Sequence, residues 1–345
     1  MADTSAAYQL YVGVDVAADT VTASWLAPGK ASTAPCTGEQ TPAGYTTLQR
    51  RLRATAVPPT ATLVVLEATG NYWVALAVAL HEAGYRVAVV NPRQAHHCAK
   101  AQLRRAKTDA LDAQDRARLA AALQPAPWTP PPAVDHEVRQ RLVARDALLA
   151  MRQQARNQRH ALLQWPVVVE GVRRQLDELI ADLDRRIAAL EAEVAAVLEA
   201  SEWAESLACV TSAPGIGLIT AAWLLVSTRT FTLCSGPEAV TASVGLAPMP
   251  RESGRSLRGR RSIGHDGHAR LRTALYLATL SAARSNPAIR ACYERLRAAG
   301  KPLKVARCAA ARKLLHQAWA LGTKQQRFDP EHEQQQHEAL PDLAA

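Results

Sequence analysis

The sequence predicts an α/β domain built on a mixed sheet, followed by a mainly helical remainder. Three observations carry this. Strand and helix signals alternate over the first 123 residues. The stretch QPAPWTPPPAV, residues 124–134, holds five prolines, a composition that cannot continue a helix and makes a stiff spacer. Beyond it almost every segment has helical periodicity.

Taken in order, YQLYVGVDVA is β-rich and carries Asp15 inside its apolar run, and TVTASWLA reads as the second strand of a hairpin. Residues 42–54 read as a helix. ATLVVLEATG is a buried strand ending at Glu67, NYWVALAVALHEAG an amphipathic helix closed by Gly84, and YRVAVVNP a strand cut by Pro92. Helical stretches follow at 93–105 and 109–123. Strands that are first antiparallel and then alternate with helices give a mixed sheet.

Residues 135–201 read as helical throughout. Arg145, Arg152, Arg156 and Arg159 share one helix face, either a solvated face or a nucleic-acid stripe. Leu176, Ile180, Leu183, Ile187, Leu190, Val194 and Val197 alternate spacings of 4 and 3, which predicts a coiled-coil seam for self-association; an ordinary bundle helix is the alternative. In LACVTSAPGIGLITAAWLLV a Pro-Gly-x-Gly turn joins two apolar helices. It resembles a helix-hairpin-helix element, whose turn offers N–H groups to a phosphate, although tight helix packing explains the same residues. Three helices are predicted near 267–285, 287–299 and 301–321, and a polar, Gln-rich tail beyond Lys324 is expected to be disordered. The expected domains are therefore 1–123, a linker at 124–134, a helical segment at 135–201, a C-terminal domain at 202–324 and the tail at 325–345.

The 345 residues carry a formal charge of +10, mostly from clustered arginine, which points to nucleic acid before an acidic membrane surface. The six cysteines form no CxxC pair and have no zinc-finger spacing, so they are read as reduced and mostly buried. MADTSAAYQLYVGVD lacks the pattern of a signal peptide. The longest apolar stretch, near Ala213 to Val226, falls short of the ~20 residues of a membrane span, so a cytoplasmic protein is expected.

Four acids stand out. Asp15 sits in the apolar run VGVDV, where a carboxylate is costly unless paired or metal-bound. Glu67 ends a second buried strand. In KTDALDAQD, Asp109 and Asp112 leave one face of a helix's first turn. If the first and fourth strands are neighbours, all four acids meet, and such a set suits Mg²⁺ or Mn²⁺. The plainer alternative makes Asp109 an N-cap and Asp15 a turn residue.

The stretch APMPRESGRSLRGRRSIG, residues 247–264, sets Ser253, Ser256 and Ser262 among Arg251, Arg255, Arg258, Arg260 and Arg261. By residue type it is either a disordered basic loop that neutralises phosphates or a site where a serine attacks the anion its arginines hold. Arg251 and Arg255 flank Ser253, and Gly254 leaves room for a DNA backbone.

The order of a strand Asp, a strand-end Glu and a helical DxxD resembles RuvC-like nucleases of the RNase H-like superfamily. With the Pro-rich junction, the heptads, APGIG and GLAPMPRESGRSLRGRRSIGHDGHARLR, the chain resembles the DEDD transposases of bacterial insertion sequences from about residue 10 to about residue 325. These are the "one-ten" family of bridge-RNA-guided recombinases. The resemblance implies a RuvC-like domain, a coiled-coil linker and a C-terminal transposase domain with a catalytic serine. It also implies that Asp15, Glu67, Asp109 and Asp112 hold Mg²⁺ or Mn²⁺, that Ser253 is the nucleophile, and that a structured bridge RNA guides the protein to donor and target DNA. Arg270 and Arg272, with Arg152, Arg156 and Arg159, join the serine-flanking arginines as candidate nucleic-acid contacts. Four strand cleavages and the heptad seam suggest a homo-oligomer, a dimer or a tetramer on DNA. The rivals are a metal-dependent junction nuclease that forms no covalent intermediate and a non-catalytic nucleic-acid scaffold. A sugar-kinase or actin-like ATPase would need a Gly-rich turn after Asp15, where Val16, Ala17, Ala18 and Asp19 stand instead.

Overall fold

The computed structural model describes residues 8–101, 108–249, 252–253, 257–258, 262–263 and 267–330. The chain divides into two compact units, Met1–Pro130 and Pro131–Ala345, with the division inside the proline run.

The first unit is a five-stranded mixed sheet. β1 (Leu10–Val16) pairs antiparallel with β2 (Thr20–Leu26) and parallel with β4 (Thr62–Glu67). β3 (Cys36–Glu39) extends the β2 edge and β5 (Arg86–Val90) lies parallel to β4, giving the order β3-β2-β1-β4-β5. Because strand side chains alternate with period 2, each central strand feeds both faces. Leu10, Val12 and Val14 of β1 and Val64 and Leu66 of β4 join a core with Leu48 and Leu52 of α1 (Pro42–Arg53) and Leu76 and Leu80 of α2 (Trp73–Glu82). On the other face Tyr11, Leu63 and Val65 pack with Leu119 and Ala120 of α4 (Asp109–Leu123), preceded in the chain by α3 (Pro92–Ala101). After α4 the chain returns to the sheet edge. The Trp128 amide donates to the Val87 carbonyl at 2.6 Å, and its ring stands edge-on to Trp73 with centroids 5.6 Å apart.

Among its described residues the second unit is helical apart from two short ladders. α5 (Ala133–Leu162) and α6 (Glu170–Glu199) form a hairpin. Ion pairs across it include Arg141–Glu193, Arg145–Glu191, Arg152–Asp184 and Arg159–Asp177. The α6 number falls as the α5 number rises, which defines an antiparallel pair. This corrects the expected self-association seam. Ile180, Leu183, Ile187 and Val194 are buried within one chain, where the short 163–169 connection places α5 against them. A heptad stripe specifies that something covers it, and the turn supplies a covalent neighbour at far higher effective concentration than a second molecule.

The roots of this hairpin, Val138 and Leu142 on α5 and Val194 and Leu198 on α6, enter the unit's main core. That core is completed by α7 (Ala204–Thr211), α8 (Leu218–Thr228), α9 (Pro237–Val244), α10 (Ala269–Ser285), α11 (Pro287–Ala298) and α12 (Leu303–Lys324). Gly215, in the turn between α7 and α8, has φ +106°, and a Cβ there would lie 2.5 Å from Cβ of Ala282 on α10. The turn's glycine is thus accounted for by backbone conformation and tight helix packing. Of the six free cysteines, Cys209 and Cys292 are buried and the other four are half-buried, fewer buried than expected. Among the described residues no helix is long and apolar enough to cross a membrane.

Candidate active site

The register of the central strands builds the site. Val14 pairs with Leu66 across the parallel β1–β4 ladder, so the next residues, Asp15 and Glu67, stand side by side at the carboxyl ends of their strands. Their parity puts both on the α4 face, with Tyr11 and Val65 behind them. α4 presses close because the intervening β1 residue on that face is Gly13. A Cβ on Gly13 would meet the carbonyl oxygen of Ala113 at 2.1 Å and the amide of Ala117 at 2.2 Å. Thr108 caps α4, accepting from the Leu111 amide at 3.3 Å, and this starts the helix so that Asp109 and Asp112 occupy its first turn.

Gly13→Ala is expected to displace α4, because backbone atoms on the far side cannot yield as side chains do. Overpacking costs about 1–3 kcal/mol, and this contact belongs at or above the upper end. Thermal unfolding should show a Tm lower by ten degrees or more, with loss of any cation-induced rise in Tm. An unchanged Tm would contradict the close approach.

Arg116, one turn beyond Asp112, faces the same acids. Its Nη1 lies 3.0 Å from Oδ1 of Asp15 and its Nη2 lies 2.5 Å from Oε2 of Glu67. Glu67 also accepts from the Thr69 hydroxyl at 2.8 Å. Arg116 is only 7% exposed, and its Nε and Nη1 have no hydrogen-bond partner. The approach to Asp15 is therefore an ion pair without an aligned hydrogen bond. Burial pushes the Asp15 carboxyl above its ordinary value; Arg116 opposes this, and the charges of Asp109, Asp112 and Glu67 raise it further. The four acids thus share one electrostatic neighbourhood. As they stand, no three described His, Cys, Asp or Glu side chains form a ready ligand shell, and the Arg116 guanidinium occupies the space between Asp15 and Glu67. The donor chemistry, oxygen acids gathered around a buried cation, fits a hard divalent ion.

The Arg/Ser stretch forms two ladders. β6 (Pro248–Met249) pairs with β9 (Ser262–Ile263), and between them in sequence β7 (Glu252–Ser253) pairs with β8 (Leu257–Arg258). Ser253 stands opposite Leu257, and Arg258 opposite Glu252. Ser253 is thus held in a paired backbone. Ser256, Arg251, Arg255, Arg260 and Arg261 lie outside the described residues.

The other expected nucleic-acid arginines are engaged within the chain. Arg152 and Arg156 pair with Asp184 at 2.5 and 3.3 Å, and Arg159 with Asp177 at 2.9 Å. These three join α5 to α6. Arg270 pairs with Asp146 at 2.6 Å, and Arg272 donates to the Val244 carbonyl at 3.2 Å. Among the described residues, cations without acidic partners include Arg290, Arg295, Arg297, Lys301, Lys304 and Lys313 on α11, α12 and their connection. The sequence contained this signal in its charge distribution. Residues 1–244 hold 23 basic and 23 acidic side chains, whereas residues 269–324 hold twelve basic and one acidic, Glu294.

A transposase family model, of the DEDD type of insertion element IS110, matches residues 12–165. A second, the transposase IS116/IS110/IS902 family, matches residues 207–294. The pilin gene-inverting protein of Moraxella bovis is 28% identical over 325 residues, covering 92% of this chain and 97% of that protein. Its counterpart in Moraxella lacunata is 27% identical over the same length. A 43.6 kDa protein of insertion element IS110 from Streptomyces coelicolor is 37% identical over 113 residues, 33% of this chain and 27% of that one.

Proposed function

The chain belongs to the IS110/IS116/IS902 transposase family and is an enzyme acting on DNA, and from that premise we propose that it cuts and rejoins DNA through a phosphoserine at Ser253. In this reading Asp15, Glu67, Asp109 and Asp112 hold Mg²⁺ or Mn²⁺, and a structured guide RNA selects donor and target. The observation that carries the cation site is the β1–β4 register, which sets Asp15 beside Glu67 and beneath the acids of α4.

The chemistry follows from the residues. The Ser253 hydroxyl gives up its proton, its oxygen bonds the DNA phosphorus, and one of the two ester oxygens leaves as a free hydroxyl end. The phosphodiester energy is kept in the serine ester, so a hydroxyl end from another strand can reverse the step without ATP. Guanidinium groups beside the serine suit the equatorial oxygens of such a transition state. A bound divalent ion would stabilise negative charge on the attacking or leaving oxygen. Recombining two duplexes takes four such cleavages, which a tetramer supplies.

The test uses the full chain with its co-purifying RNA, supercoiled donor and target DNA, and Mg²⁺. Covalent protein–DNA adducts on a denaturing gel and joined products are expected. Free 5′-phosphate ends without adducts would replace this reading with a hydrolytic junction nuclease. Co-purifying RNA that lacks a defined, structured sequence would remove the guide.

The cations of α11, α12 and their connection that lack acidic partners are the proposed backbone contacts. Arg295→Ala, Arg297→Ala and Lys301→Ala together should flatten the salt dependence of duplex binding, by about 0.9 in log–log slope per lost phosphate contact. Fluorescence anisotropy across a salt series measures this. The Arg152→Ala, Arg156→Ala, Arg159→Ala triple should leave the slope unchanged, because those groups already serve α6 acids.

A further inference from the structure

We infer that Arg116 is an internal counter-ion that keeps the acidic cluster assembled while it is empty, and that it competes with an incoming divalent ion for Asp15 and Glu67. This deepens the cation-site reading and rests on it. Three observations carry it. The guanidinium bridges the strand carboxylates, with Nη1 at 3.0 Å from Asp15 and Nη2 at 2.5 Å from Glu67, so it and a bridging divalent ion exclude one another. It is 7% exposed, and Nε and Nη1 lack hydrogen-bond partners. A buried arginine kept for architecture has its fork satisfied, because each unmet N–H is costly. This one donates a hydrogen bond to Glu67 through Nη2 but meets Asp15 by charge alone, and charge is what a divalent ion replaces. Finally, it rides on α4 a turn from Asp112, so the helix that brings two acids also brings the cation that offsets them.

The consequence is a loading threshold. Without Arg116 the four carboxylates repel one another when empty and attract a divalent ion more strongly when it is offered. With Arg116 the empty site is stable, and the ion must displace a cation to enter.

The experiment is calorimetric titration of Mn²⁺ into chelator-treated full-length protein without DNA, for wild type, Arg116→Met, Arg116→Lys and Asp15→Asn. Arg116→Met should bind Mn²⁺ at least ~10-fold more tightly than wild type. It should also melt at a lower temperature without Mn²⁺ and recover most of that loss with it. Arg116→Lys keeps one charge but cannot bridge both carboxylates, and should bind about 3-fold more tightly; it decides the matter if the Met variant does not fold. Wild-type affinity in both folded variants, or weaker binding, overturns the inference and leaves the four-acid site standing. Absence of Mn²⁺ binding to wild type and Arg116→Met, or Asp15→Asn binding as well as wild type, overturns the inference together with the site.

Discussion

Asp15→Asn is expected to abolish DNA cleavage, by on the order of 10³-fold or more, while making the cation-free protein more resistant to heat at neutral pH. The two effects have one cause. Asp15 is half-buried at a strand end, its carboxyl is raised by burial, and Asp109, Asp112 and Glu67 push it further in the same direction against Arg116. A carboxyl whose folded value exceeds its unfolded value binds protons more tightly in the folded state. Stability therefore falls as pH rises from the ordinary Asp range through the raised value, and above that window the whole cost is present. Asparagine is isosteric and never ionises, so the variant should keep its Tm across the window where wild type loses some. Mn²⁺ should raise the wild-type Tm and leave that of Asp15→Asn nearly unchanged. Asp109→Asn provides the contrast. Asp109 is exposed in the first turn of α4, where its charge favours the helix dipole, so its loss should lower Tm slightly, by the equivalent of ~0.3–1 kcal/mol. A Tm profile for Asp15→Asn that parallels wild type from pH 4 to 8 would contradict the strained-carboxylate account.

How much of this site the sequence reveals depends on which physical rule places each residue. Asp15 and Glu67 are conspicuous as acids in apolar strands, and Asp109 and Asp112 as a pair three residues apart. Gly13 and Arg116 are not conspicuous. Gly13 blends into an apolar run, and its role appears only when α4 is laid across it. Arg116 looks like any helical arginine until the strand register and the helix phase are combined. The heptads of α6 are plain, but periodicity describes a stripe and not its partner; in sequence the arginines of α5 that complete the antiparallel register look the same as a solvated face or a nucleic-acid stripe. Short elements escape for a different reason. β3 is an edge strand, CTGE, with little apolar signal of its own, and α9 is eight residues between Gly236 and Gly245 with β-branched residues inside. Both are fixed by tertiary contacts. The basic excess is plain as a total, and its concentration in residues 269–324, twelve basic against one acidic, is visible only when the charges are counted by segment.

Ser253→Ala is expected to remove covalent adducts and joined products together, by on the order of 10³-fold or more, with duplex binding retained. Ser253 lies opposite Leu257 in the β7–β8 ladder, and Ser262 belongs to the separate β6–β9 ladder. If Ser256 or Ser262 were the nucleophile, Ser253→Ala would still form adducts, and mapping the labelled peptide would show which serine carries the nucleotide. The same variant tests how the site is assembled, since the acids and the serine belong to different units of the chain. If a working site takes its serine from one protomer and its acids from another, an equal mixture of Ser253→Ala and Asp15→Asn proteins will regain adduct formation that neither shows alone. In a mixed pair, one site carries both defects and the other carries neither. A mixture as inactive as its components would place the serine and the acids of each working site in a single chain.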